Sequence, residues 1–332
     1  MVPPPGWQRR SVDNCFPEGA ASVPPFERDP ELPVLMRRNR TTARGILFPL
    51  LAGLLAGVFL VPASGAEPTG SSAVPKLVFP LVAKTNLWDN YGDPRGTHRH
   101  AGIDMENPWR APVVAVEAGR VSYAESGLGG CMLYLYGRSG TMYMYIHLNN
   151  DMTARNDNRG GCVKDVTFAV PNGAKVSAGQ QVAWNGDSGD ASGNPHLHFE
   201  VHPGGGADTN PFPYLTRASR PLFAAASGEP FSLGLRGNLS AAGAGTLTLT
   251  VERVRHYPRG RWLDVEARDV ELAVPEAAEI APALVRSLVV ESLRSIRSPV
   301  PVVAYTTRGK TTTDAIVGAV GALRISRISP AR

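Results

Sequence analysis

Six of the seven histidines, His98, His100, His147, His196, His198 and His202, fall in one stretch of this 332-residue chain. Histidine is the side chain best suited to hold a metal or move a proton near neutral pH. The densest group is Pro195-His196-Leu197-His198-Phe199-Glu200-Val201. Side chains alternate across a strand, so His196, His198 and Glu200 share one face while Leu197, Phe199 and Val201 take the other and enter a core. The two imidazoles then stand about 7 Å apart and can serve one reaction centre in two roles. The same alternation in Tyr143-Met144-Tyr145-Ile146-His147 puts Tyr143, Tyr145 and His147 on one face. Upstream, His100 and Asp104 are spaced four apart across Gly102, which argues against a helix; in an extended segment they again share a face. An imidazole and a carboxylate are a ligand pair for Zn²⁺, and a third nitrogen would leave the fourth tetrahedral position to water.

In this order, the segments His100-x-x-x-Asp104, Tyr145-x-His147-Leu148 and His196-Leu197-His198-Phe199-Glu200 resemble those of the LytM/lysostaphin-type (M23) zinc metallopeptidases. The intervening Ala111–Ala115, Gly119-Arg120-Val121, Gly173–Gln180 and Gly186-Asp187-Ser188-Gly189 are similar to that family's strands and turns, and the resemblance covers roughly residues 76–215. It implies an antiparallel β fold with an open groove over one Zn²⁺ per chain, and hydrolysis of peptide bonds in peptidoglycan. It also implies that His100, Asp104 and His198 are the metal ligands and that His147 and His196 are catalytic imidazoles without a metal bond. Either of these could accept the proton of the attacking water. No HExxH is present, so the base is not a helix-borne Glu. Glu200 reads equally as a carboxylate orienting an imidazole or as a surface group, His98 and His202 as solvated flanks, and Tyr145 as a substrate hydrogen-bonder or a strand tyrosine. Asn194 stands where many relatives carry glycine, which alters the local turn.

These residues need a scaffold of short strands. Thirty-five Gly and 29 Pro, with only 19% charged residues, exclude a long-helix or coiled-coil protein. Within residues 76–215, strands are expected at Val113–Ala118, Gly119–Tyr123, Cys131–Tyr136, Thr141–Leu148 and His196–Val201, with another in Gly173–Trp184 after a Ser177-Ala178-Gly179 turn. A linker at 217–231 leads to a β-rich accessory unit, 232–332, for which a small OB-like barrel is one arrangement. Its expected elements are strands at Gly245–Val254, Trp262–Val274, Val300–Thr306 and Ala315–Ile325, and a helix over Ala283–Ile296.

At the other end, residues 1–35 are Pro-rich and without apolar periodicity. Arg37, Arg38, Arg40 and Arg44 then precede the apolar run Ile46–Val61 and Ala63-Ser64-Gly65-Ala66, the pattern of a signal peptide. Residues 1–66 therefore read as leader plus signal, with Met36 as an alternative start. The product is secreted, to the wall or periplasm; a retained segment would instead anchor it to the membrane, facing outside. Cys131 and Cys162 are the pair left after cleavage, either bridged in an oxidising compartment or free and buried.

The net charge of +5 divides into +2 for residues 1–66, −3 for 67–215 and +6 for 216–332. The positive surplus lies away from the histidines, which excludes a nucleic-acid enzyme working through a basic groove. The basic C-terminal unit is suited to anionic wall polymers, or is a plain accessory. The reading is an exported zinc metalloendopeptidase acting on peptidoglycan stem or cross-bridge peptides. The alternative is a catalytically inert LytM-like regulator that activates a cell-wall amidase, and a third reading makes the C-terminal unit a binder beside a vestigial metal site.

Overall fold

The computed structural model describes residues 73–243, 245–284 and 300–331. The expected leader and signal, and the helix expected over Ala283–Ile296 beyond Leu284, lie outside them. The histidine-bearing segment is built on an antiparallel six-stranded sheet. Its order is Ile103–Glu106, His196–His202, Met142–Leu148, Gly130–Gly137, Gly119–Ser126 and Lys175–Val176. The metal-motif strands are thus direct neighbours although nearly a hundred residues separate them in sequence, with Asp104 opposite His198 and His198 opposite Ile146.

Alternation works as expected on the His196–His202 strand. Leu197, Phe199 and Val201 enter the main core with Ile103, Leu133, Leu135, Tyr143 and Tyr145. At the 25 cal/mol per Å² typical of apolar burial, each such side chain contributes roughly 2 kcal/mol. The turn expected at Ser177-Ala178-Gly179 within Gly173–Trp184 is present, with Gly179 at a φ of 80° that only glycine adopts freely. Lys175–Val176 joins the main sheet, and Gln181–Trp184 pairs instead with Pro112–Val114.

A second six-stranded sheet runs Leu263–Ala273, Thr246–His256, Leu233–Gly243, Val300–Thr306, Ile325–Pro330 and Glu279–Ile280, the last pair parallel. Leu235, Leu249, Val251, Leu272, Val302 and Ile328 form its core. Among the described residues the ladders do not close this order into a barrel; a parallel bridge links Ala273 at the end of the first strand to Arg324, just before Ile325–Pro330. The strand expected at Ala315–Ile325 is instead a short helix, Thr313–Val317, followed by a strand at Ile325–Pro330. Thr312 caps the helix by accepting the Ala315 N–H, and Gly318 ends it at a φ of 61°, a signature that outweighs the alternating apolar residues. The 217–231 segment is packed rather than loose: Leu222 and Phe223 are buried. The Phe79 N–H donates to Ser219 O at 2.9 Å, and the Gln181 N–H to Ala225 O at 3.1 Å.

Candidate metal centre

Three lone-pair atoms converge on the face of the first sheet. His100 Nε2, Asp104 Oδ1 and His198 Nδ1 lie 2.9 to 3.0 Å from one another. Two imidazole nitrogens meet at hydrogen-bond distance, and the far nitrogen of each ring is already committed. His100 Nδ1 donates to the Asn90 carbonyl oxygen at 2.8 Å, and His198 Nε2 to Glu200 Oε1 at 3.0 Å. When neutral, both rings therefore present lone pairs to the same point as the Asp104 carboxylate, the donor set of a cation site. Among the described residues, His100, Asp104 and His198 are the group able to hold a metal ion.

The electrostatics agree. Burial opposes the Asp104 charge, yet hydrogen bonds from His100 and His198 hold its carboxyl far below the usual carboxylate range. Burial likewise opposes a charge on His198, but Asp104 and Glu200 raise it to about 10. A cation bound by His198 Nδ1 would take the place of that proton.

The other two expected site residues flank this point. His196 Nε2 is 3.7 Å from Asp104 Oδ1, and its Nδ1 donates to Asn194 O at 2.8 Å, which gives Asn194 a role in aiming the ring. The His147 and His196 rings are 4.9 Å apart, centroid to centroid. His147 Nδ1 donates to Ser188 O at 2.9 Å, leaving Nε2 with its lone pair. Burial, together with the neighbouring His196 and His198, pushes His147 down to about 3, so this ring is neutral.

His147 reaches the site by an exception to alternation. Cross-strand register puts Tyr143 and Tyr145 beside Val201 and Phe199 on the core face, and Met144 and Ile146 beside Glu200 and His198 on the site face. Strict alternation would send His147 to the core with Tyr145. The strand instead bulges there, with Ile146 and His147 together opposite Met132, and His147 takes a φ of 61°. Leu148 drops into the core, and the imidazole turns to the metal cluster. The expected common face for Tyr145 and His147 is corrected accordingly. Tyr145 is fully buried and its hydroxyl accepts the Val116 N–H at 2.9 Å, so it is a core residue and not a substrate contact.

Glu200 and His202 are each 2% exposed, which corrects the solvated reading of His202 and the surface reading of Glu200. His98 stands half-buried on the Pro94–Arg95/His98–Arg99 hairpin, outside the cluster. Three contributors carry no sequence signal. Asn90 binds His100 through its carbonyl and accepts the Asp104 N–H through Oδ1 at 3.2 Å. Arg95 donates to Asp104 Oδ2 at 2.6 Å. Asp190 sets a half-buried carboxylate 3.8 Å from His147 Nε2, and burial raises its pKa.

The Asn149–Lys164 stretch is tied down at its middle and near its end. Cys131 and Cys162 are bridged, and Asn156 Nδ2 donates to Asp187 Oδ2 at 2.9 Å. Ser188 links the bridge to the site: it accepts the Cys131 N–H, donates to Leu148 O and holds His147 through its own carbonyl.

Peptidase family M23 matches residues 98–211. The lipoprotein YgeR of Escherichia coli K12 is 34% identical over 142 residues, which are 41% of this chain and 50% of that protein. The chain thus spans about half the length of that curated relative. The catalytic domain of the antimicrobial peptidase lysostaphin from Staphylococcus simulans is 26% identical, covering 40% of this chain and 92% of that one at a TM-score of 0.32. A zinc-containing peptidase from Vibrio cholerae is 26% identical, covering 40% and 39% at a TM-score of 0.31. The stretch matched by the family model, residues 98–211, is the one that holds the three ordered histidine motifs.

Proposed function

We propose that this chain is an exported zinc metalloendopeptidase that hydrolyses peptide bonds in peptidoglycan stem or cross-bridge peptides. The observation that carries the reading is the convergence of His100 Nε2, Asp104 Oδ1 and His198 Nδ1, with two further imidazoles directed at the same point. Zinc held there would supply an acidified water and a Lewis acid for the scissile carbonyl. His147 and His196 each donate the Nδ1–H to a backbone carbonyl and so present Nε2 to the site. Either ring can take a proton from the attacking water and, once charged, donate to the developing oxyanion. The family match and the lipoprotein relative support a peptidase at the cell envelope. Among the described residues no helix is long and apolar enough to cross a membrane.

The test is digestion of purified peptidoglycan by the wild type and by His198→Ala, with mass analysis of the fragments. New peptide termini should appear with the wild type only, vanish with a chelator and return with Zn²⁺. Identical fragments from both proteins would remove the enzyme reading. Zinc uptake without any cleavage would favour the regulator of a wall amidase.

A further inference from the structure

His202 is a buried histidine outside the metal cluster. Its Nδ1 lies 2.9 Å from the Gly206 carbonyl oxygen and its Nε2 2.7 Å from Glu200 Oε2. A carbonyl and a carboxylate only accept, so both ring nitrogens donate and the ring is an imidazolium. Glu200 and His202 thus form a buried ion pair whose protons are all spoken for, the condition under which such a pair is tolerated.

The second oxygen of Glu200 faces the metal cluster, accepting His198 Nε2–H at 3.0 Å. A second feature keeps that bond in place. A Cβ on Gly102 would lie 2.8 Å from His198 Nε2 and 2.9 Å from Glu200 Cγ, besides 2.5 Å from Phe199 O. The glycine between His100 and Asp104 is therefore the gap in which the His198–Glu200 contact sits. Its role is local space as well as an extended backbone.

We propose that Glu200 and His202 are positioning residues for the metal centre: Glu200 holds the proton of His198 on Nε2 and so aims the Nδ1 lone pair, while His202, anchored on Gly206, holds Glu200. This inference rests on the reading of His100, Asp104 and His198 as metal ligands. Without the carboxylate, His198 is free to place its proton on Nδ1 or to rotate, and either one spoils the donor set.

The test uses the full chain and zinc alone, with affinity read by competition against a chromogenic chelator and the ring protons by ¹⁵N–¹H spectra. Glu200→Met should weaken zinc binding about 10- to 100-fold, while Glu200→Gln, which keeps an oxygen for His198, should lose clearly less. In the wild type near pH 7, His202 should show two slowly exchanging N–H protons and His198 a slowly exchanging Nε2–H; this measurement stands even if Glu200→Met fails to fold. Wild-type zinc binding beside a Glu200→Met affinity within about twofold of it would overturn this inference alone. One unprotonated ring nitrogen on His202 would also overturn it. A wild type that takes up no zinc would overturn the ligand reading and this inference with it.

Discussion

His147 occupies left-handed backbone at a φ of 61°, where a residue with a Cβ is strained by roughly 1 kcal/mol or more. The strain is sustained because the bulge re-aims the imidazole at the metal cluster. His147→Ala and His147→Gly should therefore both lose cleavage of peptidoglycan, yet differ in stability. In chemical denaturation, His147→Gly should be the more stable by about 1 kcal/mol, since glycine takes this conformation without a Cβ penalty. Equal stability of the two would remove strain as the account of this residue. Asp208 shows a separate residue effect, beside the site. It accepts from the Tyr91 hydroxyl at 2.9 Å and pairs with Arg99 at 2.6 Å. Burial opposes its charge, but Arg99 and Tyr91 hold its carboxyl below the ordinary value. A depressed folded pKa contributes stability above the unfolded value of about 3.9, and loses it as pH falls through the folded value. Asp208→Asn should therefore unfold about 1 kcal/mol more easily at pH 7, a modest figure for a partly exposed pair, with the difference closing below about pH 4. A constant difference across that range would rule out the ion pair as its source.

At the scale of elements, the site is a meeting of adjacent strands with one tethered loop. The register of Ile103–Glu106 against His196–His202 brings Asp104, His196 and His198 into one place, while the segment before Ile103 adds His100 and the bulge in Met142–Leu148 adds His147. Behind them the Cys131–Cys162 bridge closes a sequence separation of 31 residues and reaches His147 through Ser188. Cys131→Ser with Cys162→Ser should cost about 3–4 kcal/mol of unfolding free energy in the chain-entropy model. Through Ser188 it should also reduce cleavage of peptidoglycan more than zinc affinity, because His147 lies on the bridged side and the ligands do not. Zinc affinity and cleavage falling in parallel would place the effect in the ligand strands instead.

For the whole molecule, the peptidase sheet and the C-terminal sheet share backbone and apolar contacts. Lys84 N–H donates to Asp264 O at 2.9 Å and the Thr313 hydroxyl to Ala178 O at 2.8 Å, while Val78, Val82, Val114 and Ala224 form a small core with Leu263 and Val317 packed on it. Removing residues 217–332 would expose that core, so surface substitutions are the proper test of a role for the basic unit. Arg259 and Arg261 are exposed beside Trp262, next to Arg255, whose guanidinium lies 4.7 Å from the Trp262 ring centroid. Arg259→Glu with Arg261→Glu should lower sedimentation with purified cell walls at low salt and leave cleavage of a soluble peptide unchanged, since screening shortens such attractions to about 10 Å at 0.1 M salt. Unchanged sedimentation would leave the C-terminal sheet as a packed accessory.

The amino-acid sequence by itself determined the strand that carries His196, His198 and Glu200 on one face, because period-two alternation is a local property. It also determined the order of the motifs and, through residue type, that they suit a metal ion. The pairing of Cys131 with Cys162 stayed open in the sequence and is made in the fold. Only the tertiary structure decided which way His147 points, because a bulge and a left-handed residue reverse the alternation that Tyr143 and Tyr145 obey. Only it brought Asn90, Arg95 and Asp190 to the site, since their contacts join positions that no local pattern relates. The helix at Thr313–Val317 was legible in its Thr312 cap and Gly318 stop, but alternating apolar residues concealed it. Burial of His202 and Glu200 likewise depends on which strands flank theirs, and that turned a surface pair into the ion pair behind the metal centre.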